Sequence, residues 1–250
     1  MITTSTTIHA QGLTKQYGDL TAVDHLDLEV RAGELFGFLG PNGAGKTSTI
    51  RMLCGVLQPT SGTAIVAGHD VANDPTEVKR RIGYMAERPY LYLRLTGAEF
   101  LRTMADLYGV DRRFTEERIP QLLENFQLTE KADEIIEGYS HGMRQKLALA
   151  STLIHGPQVL FLDEPTSGMD PRSARHTKDK LRELASQGRT IFLSTHVLDV
   201  AEQMCDRVAI VSRGRLVAVG TLDDLRAQVS ADASLEDIFL QLTEEQEDAV

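Results

Sequence analysis

A glycine-rich segment near the N-terminus carries residues that could hold a phosphate group. It follows a short apolar run and contains Gly40-Pro41-Asn42-Gly43-Ala44-Gly45-Lys46-Thr47-Ser48. Glycines let backbone N–H groups approach phosphate oxygens closely, and the N-terminus of a following helix adds partial positive charge. Lys46 can reach the β- and γ-phosphates of a nucleotide, and the Thr47 hydroxyl is a suitable ligand for Mg²⁺. The segment therefore predicts a P-loop that binds a nucleoside triphosphate.

Two adjacent carboxylates stand at the end of a later apolar run. Residues 159–162 are Val-Leu-Phe-Leu, followed by Asp163 and Glu164, and Pro165 then ends the strand. Because the carboxyl ends of parallel strands meet at one ligand crevice, both acids should face the P-loop. We expect Asp163 to hold Mg²⁺, through water, and Glu164 to polarise the attacking water as a general base.

The apolar pattern around these motifs predicts alternating strands and helices. Leu26, Leu28 and Val30 alternate with acidic residues, the period of a half-buried strand. Further strands are predicted at residues 35–39, 64–67, 159–162, 191–194, 208–211 and 216–219. Helical spacing covers residues 46–57, and a polar helix is expected to begin near Pro171. Such alternation indicates a mostly parallel sheet covered by helices.

A long helical stretch interrupts this alternation at about residues 88–154. Its apolar residues follow helical spacing, among them Phe100, Leu101, Met104, Ile119 and Leu122. We interpret it as an inserted helical subdomain. The predicted division is an ATP-binding core with a β subdomain over 1–87 and 155–220, the helical subdomain over 88–154, and a C-terminal helical tail over 221–250.

Composition restricts the class of protein. The chain has 250 residues, 42% hydrophobic and 25% charged, with 26 basic and 36 acidic side chains and a formal net charge of −10. This acidic balance argues against binding to a nucleic-acid backbone. The only cysteines, Cys54 and Cys205, lie in apolar stretches and are expected to be buried free thiols of a reducing compartment. No run approaches the ~18 apolar residues of a membrane span, and no secretory signal is evident, so a cytosolic protein is expected unless a partner holds it at a membrane.

Together these motifs resemble the nucleotide-binding domain of ATP-binding cassette (ABC) transporters, in the family's order and over nearly the whole chain. The resemblance implies an α/β fold with a P-loop NTPase core, a mostly parallel sheet, an antiparallel β subdomain and the inserted helical subdomain. It also implies that Tyr17 stacks on the adenine of ATP, although burial of Tyr17 in the sheet is a competing interpretation.

The segment Tyr139-Ser140-His141-Gly142-Met143 occupies the place of the family signature, which usually reads L-S-G-G-Q. Ser140 and Gly142 fit that pattern, whereas His141 and Met143 depart from it. Ser140 can cap the helix that follows, whose N-terminus is suited to an anion. The resemblance implies that this anion is the γ-phosphate of ATP held by the opposite subunit; considered alone, the segment would be an ordinary helix start.

Three more segments resemble parts of the family's active site. Residues 167–171, Ser-Gly-Met-Asp-Pro, resemble the loop that crosses to the partner subunit. Thr195-His196 resembles the histidine switch: His196 would contact the γ-phosphate and hold water and base in register, although a histidine at a strand end can also be structural. Glu87 stands where the family usually has Gln, and the resemblance implies that it ligates Mg²⁺ directly or through water and couples the core to the helical subdomain.

The resemblance implies an ATPase subunit of an ABC transporter, peripheral on the cytoplasmic side of the cell membrane. Two copies would pair head-to-tail around ATP, and hydrolysis would separate them, driving a transmembrane permease of one or two chains. Tyr90, Leu91 and Tyr92 could contact that permease, or could pack in the core. The tail segment 234–240, Ser-Leu-Glu-Asp-Ile-Phe-Leu, looks like the family's bacterial drug, antibiotic and polysaccharide exporters, so export is favoured over import.

Two other classes compete with this interpretation. A cassette ATPase acting on ribosomes or DNA usually carries two fused cassettes or long coiled coils, whereas this sequence shows one P-loop, no heptad run and an acidic balance. A small-molecule kinase built on a P-loop core would have no use for the signature-like segment or the histidine switch.

Overall fold

A computed structural model describes residues 6–229 and 233–244 of the chain. Its strands are β1 (Thr6–Tyr17), β2 (Leu20–Arg31), β3 (Leu35–Leu39), β4 (Ser61–Val66), β5 (His69–Asp70), β6 (Ile82–Met85), β7 (Val159–Asp163), β8 (Thr190–Thr195), β9 (Arg207–Ser212) and β10 (Arg215–Gly220). Its α-helices are α1 (Lys46–Leu53), α2 (Pro75–Arg81), α3 (Gly97–Leu107), α4 (Arg112–Asn125), α5 (His141–Thr152), α6 (Pro171–Ser186), α7 (Leu198–Met204), α8 (Leu222–Val229) and α9 (Leu235–Glu244).

The larger sheet has the strand order β10-β9-β3-β8-β7-β6. Neighbours from β9 to β6 run parallel, and only β10 pairs antiparallel with β9. In this register Leu39 lies beside Thr195, and Asp163 lies beside Ser194. The carboxyl ends of β3, β7 and β8 therefore meet at one edge, as the prediction of a mostly parallel sheet requires.

The second sheet is antiparallel throughout, in the order β2-β1-β4-β5. Leu26, Leu28 and Val30 on β2 are buried, whereas Asp27 and Glu29 between them are exposed. The alternation predicted for this strand is confirmed. One face of the sheet packs on the core that also contains α1, which brings the sheet against the glycine-rich loop.

Helices α3, α4 and α5 occupy most of the stretch for which the sequence predicts helices. Leu101, Ile119 and Leu149, one from each helix, share an apolar cluster with Leu160 and Leu193 of the larger sheet. The helices are therefore anchored to the sheet through one continuous core. A division of the chain at residues 88 and 154 stays a prediction.

Some element boundaries differ from those expected. The helix expected over 46–57 ends at Leu53, because Cys54 caps it and Gly55 follows with a left-handed φ of +64°. Residues 88–96 contain no helix, and α3 begins only after Thr96, whose side chain accepts a hydrogen bond from the Glu99 amide in a capping box.

The C-terminal tail forms the expected helices α8 and α9. Leu225 of α8 and Leu235 and Ile238 of α9 are buried in a cluster with Ala201 and Ile210. Two pieces of the predicted tail, residues 230–232 and 245–250, lie outside the described residues. Cys54 is a buried free thiol, as expected, whereas Cys205 is a free thiol that is only partly buried. Within 6–229 and 233–244, no helix combines the length and apolar character that crossing a membrane requires.

Candidate functional site

The glycine-rich loop links β3 to α1 in a conformation that depends on its glycines. Gly43 and Gly45 have left-handed φ values of +82° and +97°. A β-carbon at Gly45 would lie 2.3 Å from the carbonyl oxygen of Ala22, and one at Gly40 would lie 2.4 Å from that of Val211. Gly45 therefore requires glycine for both conformation and space, Gly43 for conformation and Gly40 for space.

The side chain of Lys46 lies inside this loop. Its buried ammonium group donates hydrogen bonds to the carbonyl oxygens of Gly40 (2.7 Å) and Pro41 (3.0 Å). Burial lowers the pKa of Lys46, and the nearby carboxylates of Glu164 and Asp163 oppose that shift. Because an ammonium group has three N–H donors, one remains for a ligand in the loop.

Thr47 and Asp163 bring two hard oxygen groups together beside the loop. The hydroxyl of Thr47 donates to a carboxylate oxygen of Asp163 over 3.1 Å. Burial raises the pKa of Asp163, and the bond from Thr47 acts in the opposite direction. Within the described residues, no three His, Cys, Asp or Glu side chains form a metal site by themselves. Thr47 and Asp163 nevertheless fit Mg²⁺, which usually takes one or two carboxylates and completes its shell with other oxygens, water and phosphate.

Glu164 is held by three donors from β8 and the residue after it. The Thr195 hydroxyl donates to Oε2 over 2.9 Å, whereas Oε1 accepts from the backbone N–H of His196 (2.8 Å) and lies 2.6 Å from its Nδ1. Glu164 itself has a left-handed φ of +50°, which is uncommon for a non-glycine residue. The carboxylate is thus fixed in one orientation at the strand end.

These groups line a cavity of about 380 Å³ at the carboxyl edge of the larger sheet. Its lining consists of Ala22, Asn42, Gly43, Gly45, Lys46, Thr47, Ser48, Glu87, Asp163, Glu164 and His196. Gly40, Pro41 and Ala44 belong to the same loop but do not line the cavity. Ala22 has no chemical signal in the sequence that would have predicted its place in this lining, and the contact of Thr195 with Glu164 was not predicted either. The adjoining ends of β7 and β8 could have indicated the role of Thr195 toward Glu164.

Tyr17 lies at the end of β1 and does not line this cavity. Its side chain is 46% exposed, and the Lys15 ammonium stands 5.3 Å from its ring centroid. The competing interpretation of Tyr17 as a residue buried in the sheet is therefore wrong. Stacking on adenine stays a prediction.

Ser140 and Gly142 also lie away from the cavity lining. Ser140 caps α5, its hydroxyl accepting a hydrogen bond from the Met143 amide over 3.3 Å. His141 packs against the loop 167–171. Its ring lies so close to Gly168 that a β-carbon at Gly168 would be only 2.4 Å from Cδ2 of His141. Within one copy, then, the signature-like segment contacts the loop after β7, and neither Ser140 nor Gly142 is among the residues that line the nucleotide cavity.

Comparison with known proteins gives consistent matches. The sequence model of a family described as "ABC transporter" matches residues 23–167. The chain is 43% identical over 241 residues to the probable multidrug ABC transporter ATP-binding protein YbhF of Escherichia coli (strain K12), a match that covers 95% of the chain and 42% of YbhF. It therefore spans less than half the length of that relative.

The chain covers a larger share of a shorter relative and of a solved structure. The daunorubicin/doxorubicin resistance ATP-binding protein DrrA of Streptomyces peucetius is 43% identical over 225 residues, which are 90% of the chain and 68% of DrrA. A solved structure titled "Structure of ATP binding subunit of ABC transporter" is 33% identical, with a TM-score of 0.88 over 94% of the chain and 98% of that subunit.

Proposed function

The chain belongs to the ABC transporter family of ATP-binding proteins, and from this we propose that it is a motor subunit whose ATP-driven pairing moves a substrate through a separate transmembrane permease. Membership makes it an ATPase with a P-loop NTPase fold. The observation that carries the proposal is that Lys46, Thr47, Asp163 and Glu164 line the same cavity. It supplies a phosphate cradle, oxygen ligands and a base within one enclosure.

The residues around this cavity support in-line hydrolysis of ATP. The loop amides and Lys46 hold the phosphates, and Glu164 accepts a proton from the attacking water while the bond between the γ-phosphorus and the leaving oxygen breaks. A carboxylate offers about four lone-pair sites. Thr195 and His196 occupy three of them, which leaves one for the water.

We propose that Mg²⁺ is bound by Thr47, Asp163 and Glu87. When bound, the ion neutralises negative charge on the phosphates. Glu87 lines the same cavity as the loop, and its carbonyl oxygen accepts a hydrogen bond from Gln145 of α5 over 3.3 Å. This contact gives Glu87 a link between the nucleotide site and the helices of residues 97–152, in keeping with the proposed coupling role and with the proposed helical subdomain over 88–154.

We propose that the second half of the nucleotide site comes from another copy of the chain. Ser140 is exposed at the start of α5, where unsatisfied backbone N–H groups favour an anion. Gly142 beside it leaves space for a phosphate. Since neither residue lines the cavity of its own copy, a head-to-tail homodimer would bring the α5 N-terminus to the γ-phosphate of ATP in the partner. The proposed stacking of Tyr17 on adenine is a separate contact.

A mixing experiment tests this head-to-tail pairing. Lys46→Ala destroys the cradle of one copy, and Gly142→Asp places a carboxylate where the partner's phosphate would bind. Each variant alone should show little ATPase activity. A mixture should regain a clear fraction of the wild-type rate, because a mixed dimer contains one intact site. Gly138→Asp is the matched control, since a side chain there meets no atom within 4 Å; a mixture as inactive as its components would reject the arrangement.

We further propose that the permease is contacted near Tyr90 and that the complex exports its substrate. Tyr90 is 100% exposed and Tyr92 57% exposed, which fits a surface for a partner better than core packing, whereas Leu91 between them packs against the core. Aromatic residues are the commonest anchors at protein interfaces. The drug-resistance relatives favour export, and a permease in the cell membrane would hold this subunit on its cytoplasmic side.

Replacing both tyrosines should separate ATP hydrolysis from transport. In membranes reconstituted with the permease, Tyr90→Ala/Tyr92→Ala should lower transport roughly tenfold or more, because anchors of this kind carry a large share of binding energy. ATPase activity of the isolated subunit should stay near that of the wild type. Leu107→Ala, another exposed apolar side chain, should change neither quantity. Undiminished transport would remove the proposed contact.

A further inference from the structure

A second polar cavity lies where α4 and α6 approach the start of β8. Its volume is about 190 Å³, below the usual range of pockets for drug-sized ligands. Its lining consists of Arg118, Gln121, Leu122, Asn125, Phe126, Leu153, Lys180, Glu183, Leu184, Gln187 and Arg189. No residue of this lining belongs to the nucleotide cavity.

Arg118 reaches this cavity from α4 and keeps donors free toward it. Its Nε and Nη2 donate to the carbonyl oxygen of Leu153 over 3.2 and 2.8 Å, and its guanidinium carbon lies 5.4 Å from the ring centroid of Phe114. A guanidinium carries five N–H donors. The bonds to Leu153 use two of them and hold the planar group in place.

Arg189 faces the same cavity from the residue before β8. Its side chain is half-buried, yet across 6–229 and 233–244 the guanidinium forms no hydrogen bond and no ion pair. Burial lowers the pKa of both arginines, and the charge of Arg189 lowers the pKa of Arg118 further. Two neighbouring cations are thus partly removed from water without a counter-ion between them.

The carboxylate in the lining is already engaged elsewhere. Glu183 accepts hydrogen bonds from Lys180 over 2.8 Å and from Gln187 over 3.2 Å, one at each carboxylate oxygen. It balances Lys180 and leaves the charges of Arg118 and Arg189 uncompensated. This local excess of positive charge occurs in a chain whose formal net charge is −10.

We propose that this cavity is a binding site for a free phosphate-class oxyanion, held between Arg118 and Arg189. Guanidinium groups match the geometry of phosphate oxygens and bind them through paired N–H donors. The bound ion would relieve the repulsion between the two cations. It would also join α4 to the start of β8, the strand that ends at Thr195 beside Glu164. The site does not depend on ATP hydrolysis or on a permease.

Calorimetric titration with inorganic phosphate tests the site. The full chain is first saturated with a non-hydrolysable ATP analogue, so that the P-loop cannot accept the added phosphate. The wild type should bind phosphate with a measurable heat. Arg118→Gln and Arg189→Gln should each weaken that binding about tenfold or more, the scale of a lost hydrogen bond between charged groups. Binding of the analogue should stay unchanged, which shows that the variants are folded.

Two further arms make the result decisive. Arg113→Gln removes an exposed guanidinium from the same helix α4 and should leave phosphate binding as in the wild type. Glycerol phosphate should bind more weakly than inorganic phosphate, because the small cavity favours the free ion; tighter binding would overturn the assignment to a free ion. No phosphate binding by the wild type, or equal binding by Arg189→Gln, would overturn the site itself.

Discussion

Glu164→Gln is expected to lower the rate of ATP turnover by about 10²–10⁴-fold, the usual contribution of a general base. The glutamine oxygen can still accept from Thr195 or from the His196 amide, so the strand end should keep its shape. The amide cannot take a proton from water, and ATP should therefore stay bound and intact. Phosphate release in the steady state measures turnover, and light scattering with ATP and Mg²⁺ should show a dimer that persists.

The control for this experiment is a carboxylate far from the site. Glu117→Gln alters an exposed side chain on α4 and should turn over ATP like the wild type. If Glu164→Gln retained a near-normal rate, Glu164 could not be the base, and the three bonds that fix its carboxylate would have only a structural role.

Lys46→Ala is expected to weaken ATP binding itself, by about 10- to 100-fold. This is the scale of one lost hydrogen bond between charged groups. The lysine is buried beside Asp163 and Glu164, so its removal also takes away a positive charge that offsets these carboxylates as the phosphates approach them. Titration with a fluorescent ATP analogue gives the affinity of variant and wild type directly.

A lysine on the surface provides the comparison for this variant. Lys131→Ala removes an exposed ammonium that pairs only with Glu134 among the described residues, and it should bind ATP normally. Equal affinity of Lys46→Ala and the wild type would contradict the placement of ATP in the glycine-rich loop, whatever the effect on hydrolysis.

Much of the sheet could be predicted because its signals are local. The apolar run that became β3 has the bounds expected from the sequence, and the run before Asp163 became β7 with Asp163 as its last residue. Parallel pairing then places the strand ends together. This rule alone located Asp163 and Glu164 beside the P-loop, as the cavity lining shows.

Other features depend on contacts between distant parts of the chain. Ala22 reaches the cavity only because the antiparallel sheet packs on the loop, and its carbonyl oxygen excludes any side chain at Gly45. Arg118 and Arg189 line one cavity because α4 packs near the start of β8. No pattern in the sequence connects these residues, so neither the wall of the nucleotide cavity nor the second cavity could be anticipated.

The departure of His141 from the family signature also becomes understandable in three dimensions. Its ring occupies the space that Gly168 leaves open. The sequence shows both residues but not their contact, because they belong to different elements. In the proposed dimer, the signature-like segment and the loop 167–171 both face the partner. The contact between His141 and Gly168 therefore helps to shape the surface that the second copy would contact.

The backbone of Glu164 has a consequence for the evolution of the chain. A non-glycine residue in the left-handed region costs about 1–3 kcal/mol, and Glu164 has a φ of +50°. A glycine there would relieve this cost but remove the carboxylate. At this position a mutation to glycine would therefore raise folding stability and remove the proposed catalytic carboxylate. We expect a selection for thermostable variants to favour the loss of ATPase activity at this residue.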